Sequence, residues 1–220
     1  MKEFPVDRTS QMDEGAWLEE GIQSGWMAAA LEEGDASVRK LRLFMCACYR
    51  RIWPFLEESY REWLVLMEKL VEEGEVTAEE RESLGLEGDT DQKVESLGRM
   101  VDEAIEPCGN FVADAFPEIV DEDGDSIVYL AQKEAECDML REIVGNPYRK
   151  VEFSGKKWVT PEVVRFAEVI YEHRAFEFMP ELGDTLQQAG CEEREVLEHC
   201  LNGCSHVRGC WVVDGILGKE

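Results

Sequence analysis

Hydrophobic residues recur at three- and four-residue steps along most of the chain, the spacing that places side chains on one face of an α-helix. The pattern predicts helices over residues 37–53, 55–73, 92–105, 126–144, 160–174, 179–189 and 207–217. Alternating patterns are short, so at most one short strand or hairpin is expected, near residues 151–159. The predicted fold class is therefore all-α, an irregular multi-helix bundle.

Two local motifs support these helix boundaries. Thr77 and Glu80 have the three-residue spacing of a capping box, which predicts the start of a short polar helix. Thr160 followed by Pro161 is typical of an N-cap residue and a first-turn proline. Both motifs indicate that the chain enters a helix at these points.

A turn sequence, Gly-Asn-Pro-Tyr-Arg-Lys, occupies residues 145–150, and the composition changes after it. We therefore predict an acidic helical domain over residues 1–143. Residues 144–220 are predicted to form a C-terminal helical subdomain that contains a cluster of Cys and His and packs on the first domain.

Charge is distributed unevenly between two of the predicted helices. Residues 36–55 contain five basic and no acidic side chains, whereas residues 56–90 contain three basic and 12 acidic ones. Opposite charges on neighbouring helices stabilise their pairing. We expect these two segments to pack together with complementary charges.

The whole chain has 23 Lys and Arg against 49 Asp and Glu, a net charge of −26. Such a charge repels the phosphate backbone of nucleic acids and the surface of anionic membranes. The N-terminus has no apolar run typical of a signal peptide, and no window has the roughly 20 apolar residues that span a bilayer. We expect a cytoplasmic protein whose eight Cys are reduced.

Half of the Cys and two of the three His fall within residues 191–210. The members of this cluster are Cys191, His199, Cys200, Cys204, His206 and Cys210. Zinc takes four such ligands, commonly as pairs a few residues apart. The pairs Cys200/Cys204 and His206/Cys210 match this spacing and are the predicted metal ligands, with Cys191 and His199 as alternates.

A geometric limit applies to the alternate ligand Cys191. If residues 192–199 are helical, about 13 Å separate Cys191 from Cys200, too far for one ion. The competing interpretation has no cofactor: the Cys are small buried apolar residues, His206 caps a helix and His199 is exposed.

A second pair of thiols, Cys46 and Cys48, lies in the basic helix. Positions i and i+2 point to different sides of a helix, so one thiol is expected to face the core and the other not. Two thiols in that arrangement cannot bind one metal ion, and packing is the expected role.

The segment over residues 39–53 is similar to the RKLRLFACACCRRIW helix of an uncharacterised family of planctomycete bacteria. The ending over residues 206–214, HVRGCWVVD, resembles that family too. The resemblance covers both ends of the chain, roughly half of it, and implies a bacterial protein. In the family Cys191, Cys200, His206 and Cys210 recur, whereas the position of Cys204 is usually not Cys. No activity is assigned to the family, so it transfers no catalytic residue.

Without a phosphate-binding loop, nucleophile elbow or zinc-protease helix, the sequence favours a non-enzymatic protein. The leading hypothesis is an acidic helical interaction module, accessory or regulatory in a larger bacterial system, that binds a protein with a basic surface. Trp17, Trp26 and Trp53 are its candidate interface anchors. One alternative is an acidic decoy that mimics nucleic acid in a basic cleft of a nuclease or regulator. The other is a zinc-dependent enzyme or zinc-stabilised binder centred on residues 191–210.

Overall fold

A computed structural model describes residues 13–18, 27, 37–83, 127–201 and 205–219. Throughout these ranges the regular structure is helical and contains no strand, which confirms the all-α prediction. Within the same ranges, no helix combines the length and the apolar character needed to cross a membrane. The predicted helix over residues 92–105 lies outside the described residues.

Nine α-helices are present in the described residues. They are α1 (Glu14–Leu18), α2 (Val38–Arg51), α3 (Glu58–Glu73), α4 (Ala78–Ser83), α5 (Ile127–Val144), α6 (Pro161–His173), α7 (Met179–Gln188), α8 (Arg194–Leu201) and α9 (Trp211–Leu217). Two short 3-10 turns, Trp53–Phe55 and Phe176–Phe178, precede α3 and α7.

The contacts between α2 and α3 confirm the predicted charge complementarity. The Arg50 guanidinium on α2 donates two hydrogen bonds to the Glu68 carboxylate on α3, at 3.0 and 2.6 Å. Arg39, near the start of α2, lies 3.9 Å from Glu72, which is one turn beyond Glu68 on α3. Bidentate guanidinium–carboxylate pairs are among the stronger charged contacts. The basic segment is therefore neutralised in part inside the fold.

Helix α2 is buried over most of its circumference, which corrects the expectation for its two thiols. Cys46 is 3% exposed and Cys48 is fully buried. A helix that is apolar around most of its surface is covered by neighbours on several sides, so residues i and i+2 are both buried. Neither thiol faces solvent, and both fill the core.

The capping box is present as predicted. The Thr77 side chain accepts from the Glu80 backbone N–H at 3.1 Å, and the Glu80 carboxylate accepts from the Thr77 N–H at 2.7 Å. Lys69 of α3 donates to the same carboxylate at 2.7 Å. These contacts lower the pKa of Glu80 to about 2, the hydrogen bond with Lys69 being the largest cause.

The chain divides into two compact units, Met1–Leu140 and Arg141–Glu220. The division falls three residues before the sequence-predicted boundary and assigns the last turn of α5 to the C-terminal unit. This placement matters for function, because that turn contributes a side chain to the site described below.

The C-terminal unit has one hydrophobic core formed by α6 to α9 and the segment before α6. Its members include Phe153, Val163, Ile170, Met179, Leu182, Leu186, Val196, Cys200, Cys210 and Val212. Glycines permit close packing at two points. A Cβ on Gly183 would lie 3.0 Å from the Cys200 side chain, and one on Gly215 would lie 2.4 Å from the Phe153 ring.

The segment over residues 151–160 forms turns rather than the strand that the sequence allowed. The Lys156 N–H donates to the Phe153 carbonyl at 3.3 Å, and the Val159 N–H donates to the Lys156 carbonyl at 3.2 Å. Thr160 then caps α6 as predicted, its hydroxyl accepting from the Val163 N–H at 3.3 Å.

Candidate metal centre

Four side chains of the C-terminal unit converge on one point: Glu142, His199, His206 and Cys210. Each offers one ligand atom, and the four atoms all lie within 4.8 Å of one another. Two imidazole nitrogens, a thiol and a carboxylate are a donor set that zinc commonly binds.

Each of the four residues comes from a different local structure. Glu142 lies in the last turn of α5 and His199 in the last turn of α8. His206 belongs to the segment that joins α8 to α9, and Cys210 is the N-cap residue of α9. The cluster therefore joins parts of the chain that lie up to 68 positions apart, from Glu142 to Cys210.

The distances between the donor atoms are close to those of a tetrahedral metal site. His199 Nε2 lies 3.0 Å from Glu142 Oε2 and 3.2 Å from Cys210 Sγ. His206 Nδ1 lies 3.2 Å from both oxygens of Glu142. Ligands at zinc bond lengths in a tetrahedron are about 3.3–3.6 Å apart. Small shifts of these side chains would bring the four atoms onto one ion.

The Glu142 carboxylate is charged although its side chain is only 3% exposed. Burial raises its pKa, but the contacts with His199 and His206 outweigh burial and lower the pKa to about 2. The Val207 N–H also donates to it, at 3.4 Å. The two imidazoles therefore balance its charge inside the site, and the ionised carboxylate is available as a ligand.

Cys210 is fully buried beside this charge. Burial raises the pKa of its thiol well above the ordinary value, and the negative charge of Glu142 raises it further. Without a cation the thiol is therefore protonated. A bound divalent cation reverses the local electrostatics and stabilises the thiolate as a ligand.

Trp211, the first residue of α9, contacts the outer side of the cluster. Its indole Nε1–H donates to Nδ1 of His199 at 3.2 Å. The indole also packs edge-on against the Phe153 ring, with the centroids 5.9 Å apart. A Cβ on Gly145, whose φ is +75°, would approach the indole to 3.0 Å, so only glycine fits there.

The structure brings together two of the four predicted ligands, His206 and Cys210, with His199, one of the alternates. The His199 side chain is 14% exposed, unlike the exposed His of the competing interpretation. Cys200 and Cys191 are buried in the core but are not among the four converging residues. Cys204 lies outside the described residues, so its assignment as a ligand stays a prediction.

The sequence analysis missed Glu142, which is remote from the cluster in sequence. The available signal was its position on the buried side of α5, beside Met139 and Ile143. A Glu within such an apolar arc is rare unless it is paired. The chain has 49 acidic residues, and the position of Glu142 in the sequence does not by itself distinguish it from the others.

Comparisons with protein families, with curated proteins and with solved structures found no match. The chemistry of the site therefore has to be inferred from its own residues.

Proposed function

We propose that the protein is a zinc-stabilised helical protein whose C-terminal unit binds one zinc ion through Glu142, His199, His206 and Cys210. The observation that carries the proposal is the convergence of one donor atom from each residue within 4.8 Å. Exposed acidic groups are common without a metal ion, but this group is buried at Glu142 and Cys210, half-buried at both His, and mixes nitrogen, sulfur and oxygen donors.

The donor chemistry favours zinc over the other common divalent ions. Calcium and magnesium select oxygen ligands, whereas His and Cys side chains suit zinc. All four positions of a tetrahedron are supplied by the protein, and a catalytic zinc site keeps one position open for water or substrate. The side chains of Glu142 and His206 are 3% and 5% exposed, which leaves little access for a substrate. A structural role follows.

A metal ion here would connect the end of α5, the end of α8 and the start of α9. In the described residues, α8 and α9 also share the hydrophobic core and the Trp211–His199 hydrogen bond, and Glu142 of α5 contacts His199 and His206 directly. Because the ligands are distant in sequence, an unfolded chain does not present them together, and the binding free energy contributes to folding. The ion would stabilise the C-terminal unit in the way a disulfide stabilises secreted domains.

The test is the metal content of the full chain purified without chelator. We expect close to one equivalent of zinc, lost in Cys210→Ser and His206→Ala variants. His173→Ala is the matched control, because His173 is exposed and is the only other His in the chain; it should retain the zinc. Less than a tenth of an equivalent in the wild-type protein would overturn the proposal.

The sequence-based expectation of a protein partner is compatible with a structural zinc ion, and it stays a prediction. Its candidate anchors receive little support. Trp17 is 1% exposed, and Trp53 lies beneath the guanidinium groups of Arg50 and Arg61, 4.2 and 5.6 Å from its ring centroid. Trp26 lies outside the described residues. Charge alone now supports that hypothesis, and the metal site is the stronger basis for function.

A further inference from the structure

A tight turn separates two of the four converging residues, His206 and Cys210. The Cys210 N–H donates to the Val207 carbonyl at 3.1 Å and closes a four-residue turn over residues 207–210. Gly209, at the third position of this turn, has a φ of +97°, as a type II turn requires. The turn reverses the chain between the two side chains, so its conformation determines whether both can reach the same point.

Arg208, the second residue of the turn, contacts the end of α6. Its guanidinium Nη2 donates to the Tyr171 carbonyl at 3.1 Å. In a continued helix that carbonyl would accept from the Ala175 N–H, but the Ala175 N–H donates to the Ile170 carbonyl instead, at 3.0 Å. The last carbonyls of a helix carry a partial negative charge, which favours a cationic donor. The end of α6 therefore holds the side chain of Arg208 in place.

The Tyr171 ring adds a second contact with the same guanidinium. Cζ of Arg208 lies 4.9 Å from the ring centroid, within the range of a cation–π interaction. The Lys219 ammonium, on the second residue after α9, lies 4.4 Å from the same centroid. The Tyr171 side chain is buried in the core of the C-terminal unit. Both ends of α9, the helix whose N-cap is Cys210, are therefore anchored on one buried residue.

We propose that Arg208 is a positioning residue for the zinc site: it holds the turn so that His206 and Cys210 converge before the ion binds. The inference rests on the proposed function. Arg208 is not among the four converging residues, so it acts through the turn and not through the ion. The turn also contacts the site directly, because the Val207 N–H donates to Glu142 at 3.4 Å. Ligands that are already in place avoid the entropy cost of ordering the segment on binding.

The first test compares the zinc affinity of the wild-type chain and an Arg208→Met variant, measured by competition with a chelator. Methionine keeps an unbranched apolar stem but removes the donor and the charge. Ordering the turn would then draw on the binding free energy, and the affinity should fall roughly tenfold. A merely structural role of Arg208 would lower the free energy of unfolding, measured in excess chelator, and leave the zinc affinity of the folded chain unchanged.

Arg165→Met is the matched control for this comparison. Arg165 is an exposed residue of the same helix α6, and its loss changes the net charge of the chain by the same amount. The zinc affinity of this variant should equal that of the wild type. Equal affinities of the Arg208→Met and wild-type chains would overturn the inference and leave the proposed function intact.

The second test needs no variant to fold. Amide hydrogen exchange of the metal-free wild-type chain is followed by NMR and then repeated after zinc is added. The Cys210 N–H should be protected before zinc is added, as the Cys191 N–H is expected to be, which donates to the Leu186 carbonyl at 2.9 Å. A Cys210 N–H that exchanges freely until zinc binds would show that the turn forms only around the ion, and would refute the inference alone. A wild-type chain that binds no zinc would refute the proposed function and, with it, the role of Arg208.

Discussion

Replacing Cys210 by Ser measures how much the sulfur ligand contributes to zinc binding and to the stability of the C-terminal unit. The thiol is fully buried, and its sulfur lies 3.2 Å from His199 Nε2. Serine keeps the size of the side chain but is a poor zinc ligand at neutral pH, because its hydroxyl does not ionise as readily as a thiol. The variant should fold yet bind zinc far more weakly.

The expected size of the effect follows from the number of ligands. Structural zinc sites contribute about 10–16 kcal/mol in apparent binding free energy. Shared among four ligands, this is about 2.5–4 kcal/mol for each, or about two to three orders of magnitude in affinity. At a fixed zinc concentration that exceeds the wild-type dissociation constant, the thermal stability of the variant should fall towards that of the chelator-treated wild type.

The assay is thermal unfolding of both proteins with zinc and with excess chelator, together with chelator competition. Cys191→Ser is the matched control, because Cys191 is another buried thiol of the same unit that does not converge on the site. Burial of a hydroxyl changes its stability relative to the wild type, but its response to chelator should be that of the wild type. Equal zinc responses in the Cys210→Ser and wild-type proteins would refute the assignment of Cys210 as a ligand.

Three further predictions concern the fold. Replacing Arg50 by Met removes the bidentate partner of the buried Glu68 and should lower the free energy of unfolding by about 2 kcal/mol; no loss in denaturant unfolding would contradict the pairing. The carboxyl of Glu80, with a pKa lowered from 4.5 to about 2, adds stability above pH 4.5 that is lost as the pH falls towards 2. An NMR titration should find that low pKa and its rise in a Lys69→Met variant, whereas a wild-type value near 4.5 would disprove it. Gly215→Ala should cost about 1 kcal/mol in thermal unfolding, because overlap with the Phe ring at 2.4 Å exceeds the gain in helix propensity; a stabilised variant would refute this.

Much of the fold was predictable because its signals are local. The Thr77 capping box and the Thr160 cap each depend on residues within three positions. The charge match between α2 and α3 was also predictable, since the two helices are neighbours in sequence. The wrong expectation for Cys48 had a non-local cause: how many neighbours cover a helix is decided by tertiary packing.

The metal site was predictable only in part for the same reason. His206 and Cys210 lie close in sequence, and their spacing indicated a metal site. Glu142 is brought to them by the end of α5, and its local sequence signals burial but not which residues it approaches. The spacing of zinc ligands in sequence favoured Cys200 as a ligand, but its thiol packs in the core of the C-terminal unit. Ligands supplied by distant elements require the tertiary fold before they can be recognised.

X-ray absorption at the zinc edge of the loaded wild-type protein tests the central claim most directly, because it counts ligand atoms by type. We predict one sulfur at about 2.3 Å and three nitrogen or oxygen atoms at about 2.0–2.1 Å. The single sulfur is that of Cys210, and it should disappear from the spectrum of the Cys210→Ser protein reloaded with zinc. Two or more sulfur ligands, or a first shell without sulfur in the wild type, would contradict the assignment of Glu142, His199, His206 and Cys210 as the metal site.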